Sequence, residues 1–388
     1  QVLNLVTFVV TQLAMGITVL IARYLGEKKE EQIGSIIGGG TVVFAAISLV
    51  LFVIMVGFAR PIAVLMQAPE EAVGLTAAYI RICGAGIFFI VAYNVLSAIF
   101  RGLGDSNSPL LFVFVACIVN VVGDLVLVAG LGMDAMGAAL ATVFAQALSV
   151  VFAIVRLVKK GLPFTITGYD FRWNPQCGKF LQIGLPLALQ ECLTQGSFLA
   201  LCAFVNRLGL EASSGYGVAC KIVNFAMLIP GALMQSTSSF VSQNVGAGEQ
   251  KRAKKAMFTG IGIGLLVGCF AFSLVFFRGD LLAGIFSADA AVVQRGYEYL
   301  KGFAPETLLT AVLFSMMGYF NGNGKTVWVM LQGLIQTLLV RLPFAYYMSI
   351  QPDASLTNIG LAAPISTAVG IVLNVAYFLY LEHAAKRS

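Results

Sequence analysis

The sequence predicts an all-α polytopic membrane protein made of two six-helix bundles. Hydrophobic residues make up 59% of the chain, charged residues only 11%, and the mean hydropathy is +0.90. Long apolar runs recur from one end to the other, which soluble domains do not show. The second half also repeats features of the first, an arrangement typical of membrane transporters.

Apolar runs of about 18 residues or more predict transmembrane helices. Eleven such runs are visible in the sequence. They lie at about residues 2–23, 33–58, 73–100, 109–131, 136–157, 179–206, 212–243, 254–277, 291–320, 325–349 and 357–381.

The distribution of basic residues predicts the orientation. If the loop after the first visible span is cytoplasmic, 16 of the 24 basic residues fall on the cytoplasmic side and 3 on the outer side. Cytoplasmic loops carry the excess of Lys and Arg in membrane proteins. We therefore expect a multi-pass protein of the plasma or inner membrane with a cytoplasmic C-terminus.

The longest polar connection divides the chain. It runs from Lys159 to Lys179 and contains several Gly and Pro residues. We predict an N-terminal lobe at 1–160, a cytoplasmic linker at 161–178 and a C-terminal lobe at 179–388.

The two halves align without a gap over about eighty residues when the numbering is shifted by 220. Near the end of each half the shift becomes 223, where Gly137 matches Gly360. Because six spans separate equivalent helices, both halves keep the same orientation in the membrane. The pairs at 220 are Gly26 with Gly246, Tyr79 with Tyr299, Phe100 with Phe320, Gly102 with Gly322 and Gly104 with Gly324.

The repeat also predicts a helix before residue 1. The sixth visible span, 179–206, has its counterpart upstream of the first residue when shifted by 220. We therefore expect twelve helices in an intact protein, of which eleven are visible here.

Asp124 is the first candidate functional residue. It is the one ionisable side chain in the apolar run 110–131, and a carboxylate in a membrane-length helix is costly unless it is compensated. Asn120 lies four residues earlier, on the same helical face. Oxygen ligands of this kind suit a proton or a small hard cation. Alternatively, Asp124 hydrogen-bonds a neighbouring helix and stabilises packing.

Several classes of function are disfavoured by composition. Seven cysteines are scattered singly without a CxxC pair, which predicts neither disulfides nor a zinc site. The one histidine, His383, lies in the polar tail, so a histidine-based metalloenzyme or nucleophilic triad is disfavoured. The net charge of +6 reflects short loops rather than a nucleic-acid surface. We expect no enzyme activity and no nucleic-acid partner.

Four motifs resemble the multidrug and toxic-compound extrusion (MATE) family. They are Arg-Gly-Leu-Gly-Asp at 101–105, Asn-x-x-x-Asp at 120–124, Gly-Ala-Ala-Leu-Ala-Thr at 137–142 and Ser-Gln-Asn-Val-Gly-Ala-Gly at 242–248. The resemblance covers the whole visible chain. It implies two six-helix lobes and drug export driven by entry of protons or sodium.

The resemblance also implies a cation site in the N-terminal lobe. Asn120, Asp124 and Thr142 match three of its residues, and a further acid belongs to a helix before residue 1. Depth supports the grouping, since Asp124 and Thr142 each lie roughly 9 to 11 Å below the outer surface at 1.5 Å per helical residue. With sodium as coupling ion, Asp124 and Asn120 would be metal ligands. We expect no cofactor other than H⁺ or Na⁺.

The C-terminal half lacks a copy of this site. The shift of 220 places Val340 and Phe344 where Asn120 and Asp124 would be. Instead this half carries Glu191 and Glu306 within its spans, and we predict that both bind substrate. The alternative for each is a polar contact between helices, with Lys221 or Arg341 as the buried partner.

Together these features predict a cation-coupled antiporter that exports amphipathic organic cations by alternating access. Its partners would be drug-like small molecules and the lipid bilayer, and we expect a monomer. Three alternatives remain open: a lipid-linked oligosaccharide flippase of the same superfamily, a passive channel or structural membrane protein, and an integral-membrane enzyme.

Overall fold

The computed structural model describes residues 2–65, 70–160 and 165–387, and the regular structure in these ranges is helical. The predicted all-α polytopic fold is confirmed. The α-helices are α1 (Val2–Gly26), α2 (Glu31–Gly57), α3 (Ala59–Leu65), α4 (Val73–Ala85), α5 (Ile87–Gly102), α6 (Asn107–Asp124), α7 (Asp134–Lys159), α8 (Pro175–Asn206), α9 (Leu210–Gly246), α10 (Gln250–Gly284), α11 (Ala290–Phe303), α12 (Glu306–Gly322), α13 (Thr326–Leu334), α14 (Leu342–Ser349), α15 (Leu356–Gly360) and α16 (Ala362–Arg387).

Two π-helical segments interrupt equivalent spans of the two halves. The first, Leu125–Gly130, continues α6 directly after Asp124. The second, Ile335–Arg341, joins α13 to α14. A π-helical turn holds an extra residue and often lies at a functional site. Each segment adjoins or contains a charged residue of its span, Asp124 in one case and Arg341 in the other.

In the described part of the chain, nine helices are long and apolar enough to cross a membrane, and two bent pairs raise the number to eleven. The bends divide the predicted spans 73–100 and 291–320. α4 meets α5 at 52° around Gly86, and α11 meets α12 at 48° beside Pro305. Glycine and proline are the usual causes of such breaks. The shift of 220 places Glu306, next to Pro305, opposite Gly86, so the bend itself is repeated.

The chain forms two compact units, Gln1–Ala188 and Leu189–Ser388. In the first unit, glycines let helices approach very closely. A Cβ on Gly16 of α1 would lie 2.1 Å from the carbonyl oxygen of Phe180 in α8. On the other side of α1, the buried Thr18 hydroxyl donates to the Ala98 carbonyl at 2.9 Å. Small residues at such contacts are typical of helix packing in lipid.

The first unit extends further along the chain than the predicted lobe at 1–160. Residues 165–188 pack within it, and the boundary falls inside α8 rather than in the linker. The physical reason is the glycine contact between α1 and the first half of α8. Of the predicted linker 161–178, residues 161–164 lie outside the described ranges.

The described part of the linker packs against glycines of α2. A Cβ on Gly38 would lie 2.4 Å from the Asp170 carbonyl oxygen. The Ser35 hydroxyl donates to Asp170 Oδ1 at 2.8 Å, and Asn174 Nδ2 donates to the Ser35 carbonyl at 2.8 Å. The Thr167 backbone N–H and the Ser35 hydroxyl lower the pKa of Asp170. These bonds hold residues 165–174 on the surface of α2.

The second unit has its own core around α9, α11 and α12. Tyr216 and Tyr299 pack edge to face, with ring centroids 4.9 Å apart. Gly318 brings α12 against α9, where an added Cβ would lie 2.7 Å from the Met234 carbonyl oxygen. Tyr299 of this buried pair lies within electrostatic range of Glu306 and Arg341.

Candidate cation site

The antiparallel pair of α6 and α7 forms the scaffold of the predicted site. A Cβ on Gly123 would lie 2.8 Å from the Cβ of Ala141, so the two helices touch at this level. Further along the pair, the buried Ser149 hydroxyl donates to the Phe112 carbonyl at 3.1 Å. Close backbone approach therefore places side chains of α6 directly beside those of α7.

The structure brings Asn120 and Thr142 together. Asn120 Nδ2 donates to Thr142 Oγ1 at 3.3 Å, across the helix pair. The Thr142 hydroxyl in turn donates to the Ala138 carbonyl one turn earlier, at 2.9 Å. This chain of bonds fixes the direction of the hydroxyl, whose oxygen lone pairs face the Asn120 side. Both residues are partly buried.

Asp124 lies one turn beyond Asn120, at the last residue of α6 before the π-helical segment. Its Oδ1 atom is buried and has no hydrogen-bond partner. A buried carboxylate oxygen without a donor is costly, because nothing replaces the water it has lost. A proton or a small cation would supply the missing partner. The carboxylate, amide and hydroxyl oxygens here are the ligand types that such an ion prefers.

Tyr79 on α4 also belongs to this site, although sequence reasoning did not assign it there. Its hydroxyl lies against Thr142 and Cys83, and it is within electrostatic range of Asp124. The available signal was the match of Tyr79 with Tyr299 in the repeat. A polar residue kept at the same place in both halves was a candidate for a site.

Gln146 extends the polar face of α7 by one turn beyond Thr142. Its Oε1 atom is buried and lacks a hydrogen-bond partner, as does Asp124 Oδ1. The face shared by α6 and α7 thus contains two oxygen atoms without donors. The sequence predicted neither that Gln146 lies on this polar face nor that its oxygen lacks a donor, since Gln146 is embedded in an otherwise apolar run.

In the second unit, Glu306 is only 6% exposed and begins α12 at the bend. The Thr367 hydroxyl donates to Glu306 Oε1 at 2.8 Å, while Oε2 is buried without a hydrogen-bond partner. Gln336 Nε2 donates to Thr367 Oγ1 at 3.0 Å and accepts at its own Oε1 from Gln332, at 2.6 Å. Glu306 therefore ends a buried chain of hydrogen bonds that links four helical segments, namely α12, α16, the π-helical segment at 335–341 and α13.

Arg341, one of the two partners that the alternative interpretation named, lies within electrostatic range of Glu306 but forms no direct ion pair with it. Arg341 is 7% exposed, donates from Nε to the Ser366 hydroxyl at 3.2 Å, and lies 5.7 Å over the ring of Phe198. Lys221, the other expected partner, lies over the ring of Phe286 instead.

Glu191 is half-buried on α8 and bonds along its own helix. Gln195 Nε2, one turn later, donates to Glu191 Oε1 at 2.7 Å. Its role in binding substrate, like that of Glu306, remains a prediction.

Known proteins resemble most of the chain in sequence. The MatE family model matches residues 1–126 and 186–347. The probable multidrug resistance protein YpnP of Bacillus subtilis is 27% identical over 286 residues, which are 74% of this chain and 64% of YpnP. The multidrug export protein MepA of Staphylococcus aureus is 26% identical over 332 residues, 83% of this chain and 72% of MepA.

A solved structure has the same fold. It is the outward-facing conformation of a multidrug resistance MATE family transporter of the MOP superfamily, with a TM-score of 0.93 and 21% identity. The match covers 100% of this chain and 86% of the other. The family is one of transporters, so the prediction that the chain is not an enzyme is confirmed. The chain belongs to the multidrug and toxic-compound extrusion (MATE) family and is a multi-pass membrane transporter.

Proposed function

We propose that this transporter exports amphipathic organic cations in exchange for protons or sodium ions. The single observation that carries the coupling is the unpartnered, buried Asp124 Oδ1 beside the Asn120–Thr142 hydrogen bond. The names of YpnP and MepA as multidrug resistance and export proteins support the substrate class.

The coupling follows from the cost of burying a charge. With Asp124 ionised, the site attracts a cation from outside, because the carboxylate lacks donors within the helix pair. Binding neutralises Asp124 and removes the penalty for closing the site. The helices then shift to the state that holds drug less tightly. Reciprocity requires that bound drug disfavour the cation by the same factor.

The site lies where small structural changes can be transmitted. Asp124 is followed at once by a π-helical segment, whose hydrogen bonds differ from those of the preceding helix. Gly123 and Ala141 keep the helix pair in contact at the same level. A change of charge at Asp124 would therefore alter the local packing of α6 on α7.

Flippase activity on a lipid-linked oligosaccharide is the nearest alternative, and it would use cationic side chains to hold a pyrophosphate. Lys221, Lys301 and Arg341 each lie over an aromatic ring, of Phe286, Tyr297 and Phe198 respectively. Cations engaged in this way favour structural roles. We also propose that the protein is located in the plasma membrane as a monomer, with a cytoplasmic C-terminus.

Efflux of a fluorescent organic cation from cells that produce the protein tests the proposal. We expect Asp124→Asn to reduce efflux by about tenfold or more, since the amide carries no negative charge that a cation could neutralise. Asp134→Asn is the matched control, because Asp134 is exposed at the start of α7. Full efflux by Asp124→Asn, at equal amounts in the membrane, would rule out the proposed coupling.

A further inference from the structure

The cross-helix hydrogen bond of the first unit has a counterpart in the second. Asn120 donates to Thr142 at 3.3 Å, and Arg341 donates to Ser366 at 3.2 Å. The shift of 220 places Asn120 opposite position 340, and Arg341 lies one residue beyond it. The shift of 223 places Thr142 opposite position 365, and Ser366 lies one residue beyond it. For Arg341 the π-helical segment Ile335–Arg341 explains the offset, because a π-helical turn shifts the register by one residue.

A repeated tyrosine accompanies each pair. Tyr79 lies against Thr142 and within electrostatic range of Asp124. Tyr299, its counterpart at a shift of 220, is within electrostatic range of Arg341 and Glu306. In each unit, a tyrosine at a repeated position therefore lies near a donor on one span and a hydroxyl on the next, which are at or one residue from matching positions.

The two groups differ in charge. In the first unit the acid, Asp124, has a buried oxygen without a donor. In the second, Glu306 at the bend also has a buried oxygen without a donor, Oε2, but the donor position holds a guanidinium. Arginine stays protonated at every physiological pH, so this positive charge cannot leave.

Arg341 is held in place from two sides. Its Nε donates to Ser366, and its guanidinium lies over the ring of Phe198. Other titratable groups around this cluster are Tyr216 and Cys220 of α9, which interact with Tyr299. These groups are neutral when protonated, whereas the Arg341 guanidinium is positively charged and acts on Glu306 from electrostatic range, without a direct ion pair.

We propose that the second unit contains a degenerate copy of the coupling site, in which the Arg341 guanidinium takes the place of an exchangeable monovalent cation. This inference rests on the proposed function of the first site. The second unit is then charge-compensated at all times and does not load an ion. Removal of the guanidinium should create a second site for a proton or a sodium ion at Glu306.

The test uses the full chain, purified in detergent, in a background that lacks the first site. Three variants are compared: Asp124→Asn, Asp124→Asn with Arg341→Met, and the latter with Glu306→Gln added. The thermal unfolding midpoint is measured in sodium chloride and choline chloride, at acidic and neutral pH. A ligand that binds only the folded state raises the midpoint.

In the variant with Asp124→Asn and Arg341→Met, we expect sodium or acid to raise the unfolding midpoint by a few degrees more than it does in Asp124→Asn alone. A response to sodium at constant pH identifies a sodium site, and a response to pH alone identifies protonation. Addition of Glu306→Gln should abolish the gain. Equal responses with and without Arg341, or a gain that survives Glu306→Gln, would overturn the inference.

A second measurement covers the case in which Arg341→Met does not fold. Arg341→Met and Glu306→Gln, each alone in the otherwise unchanged chain, should lower the midpoint, while the double change should lower it by less than their sum. Strictly additive losses would contradict charge compensation. Neither measurement depends on transport, whereas efflux by Asp124→Asn alone tests the first site, so the two ideas can fail separately.

Discussion

The Asn120 amide donates to the Thr142 hydroxyl, 3.3 Å away, across the contact between α6 and α7. This bond aligns two side chains from different helices beside Asp124. It also means that each residue limits the freedom of the other.

Thr142→Val should weaken binding of the coupling cation. Valine keeps the shape of threonine but removes the acceptor for Asn120 and the hydroxyl ligand. Loss of one hydrogen bond of about 1 kcal/mol corresponds to about a fivefold weaker apparent affinity. The measurement is the concentration of sodium or protons that half-activates efflux. Thr142→Ser, which retains the hydroxyl, should remain close to the original chain, and equal affinities for the two variants would contradict the prediction.

Tyr79→Phe should also lower the apparent affinity for the coupling cation, by a few-fold. The change removes only the hydroxyl that lies against Thr142 near Asp124. Vesicle transport assays over a range of cation concentrations provide the measurement. Tyr347→Phe serves as the control, because Tyr347 is 57% exposed. An effect of the same size from both changes would remove Tyr79 from the site.

Gly38→Ala should destabilise the first unit. The new Cβ would lie 2.4 Å from the Asp170 carbonyl, so the linker must move away from α2. Overpacking of this kind typically costs about 1 to 3 kcal/mol. The check is the thermal unfolding midpoint in detergent. Gly57→Ala on the same helix meets nothing within 4 Å and should leave the midpoint unchanged or raise it.

Ionised Asp105 should stabilise the folded protein, and this contribution should be lost in acid. Partial burial raises the pKa of this carboxyl, but donors from Lys160 and Ser108 outweigh burial and lower the pKa from 3.8 to about 2. Lys160 Nζ and Ser108 Oγ each lie 2.6 Å from Asp105 Oδ2. A lowered pKa stabilises the fold above the ordinary value, and this contribution disappears as the pH falls through the lowered one.

Asp105→Asn should therefore lower the unfolding midpoint at neutral pH, and its difference from the original chain should shrink between about pH 4 and about pH 2. Unfolding curves of both proteins at several pH values provide the test. A difference that stays constant over this range would mean that the charge of Asp105 is irrelevant to stability.

Hydropathy and the repeat predicted the spans well because membrane helices are recognised by length and composition. The pair Asn120 and Asp124 followed from helical periodicity, and Thr142 from the family motif. The same shift of 220 would have matched Gly86 with Glu306 and so anticipated the repeated bend. It also matches Tyr79 with Tyr299, without revealing that each tyrosine lies within electrostatic range of an ionisable group.

Other features depended on tertiary contacts. The π-helical segment at 125–130 consists of apolar residues that suit an α-helix equally well. The close packing of Gly38 against the linker residue Asp170 is another such contact. The shifts of 220 and 223 did not predict the pairing of Arg341 with Ser366, because each of these residues lies one position beyond the place that the repeat gives.

The most direct test of the central claim is cation flux driven by drug in proteoliposomes. With an outward drug gradient across the membrane, the original chain and Asp134→Asn should move protons or sodium ions in the opposite direction, in proportion to the amount of drug transported. Asp124→Asn should show no such flux above protein-free liposomes. Drug-driven cation flux of full size in Asp124→Asn would contradict the account.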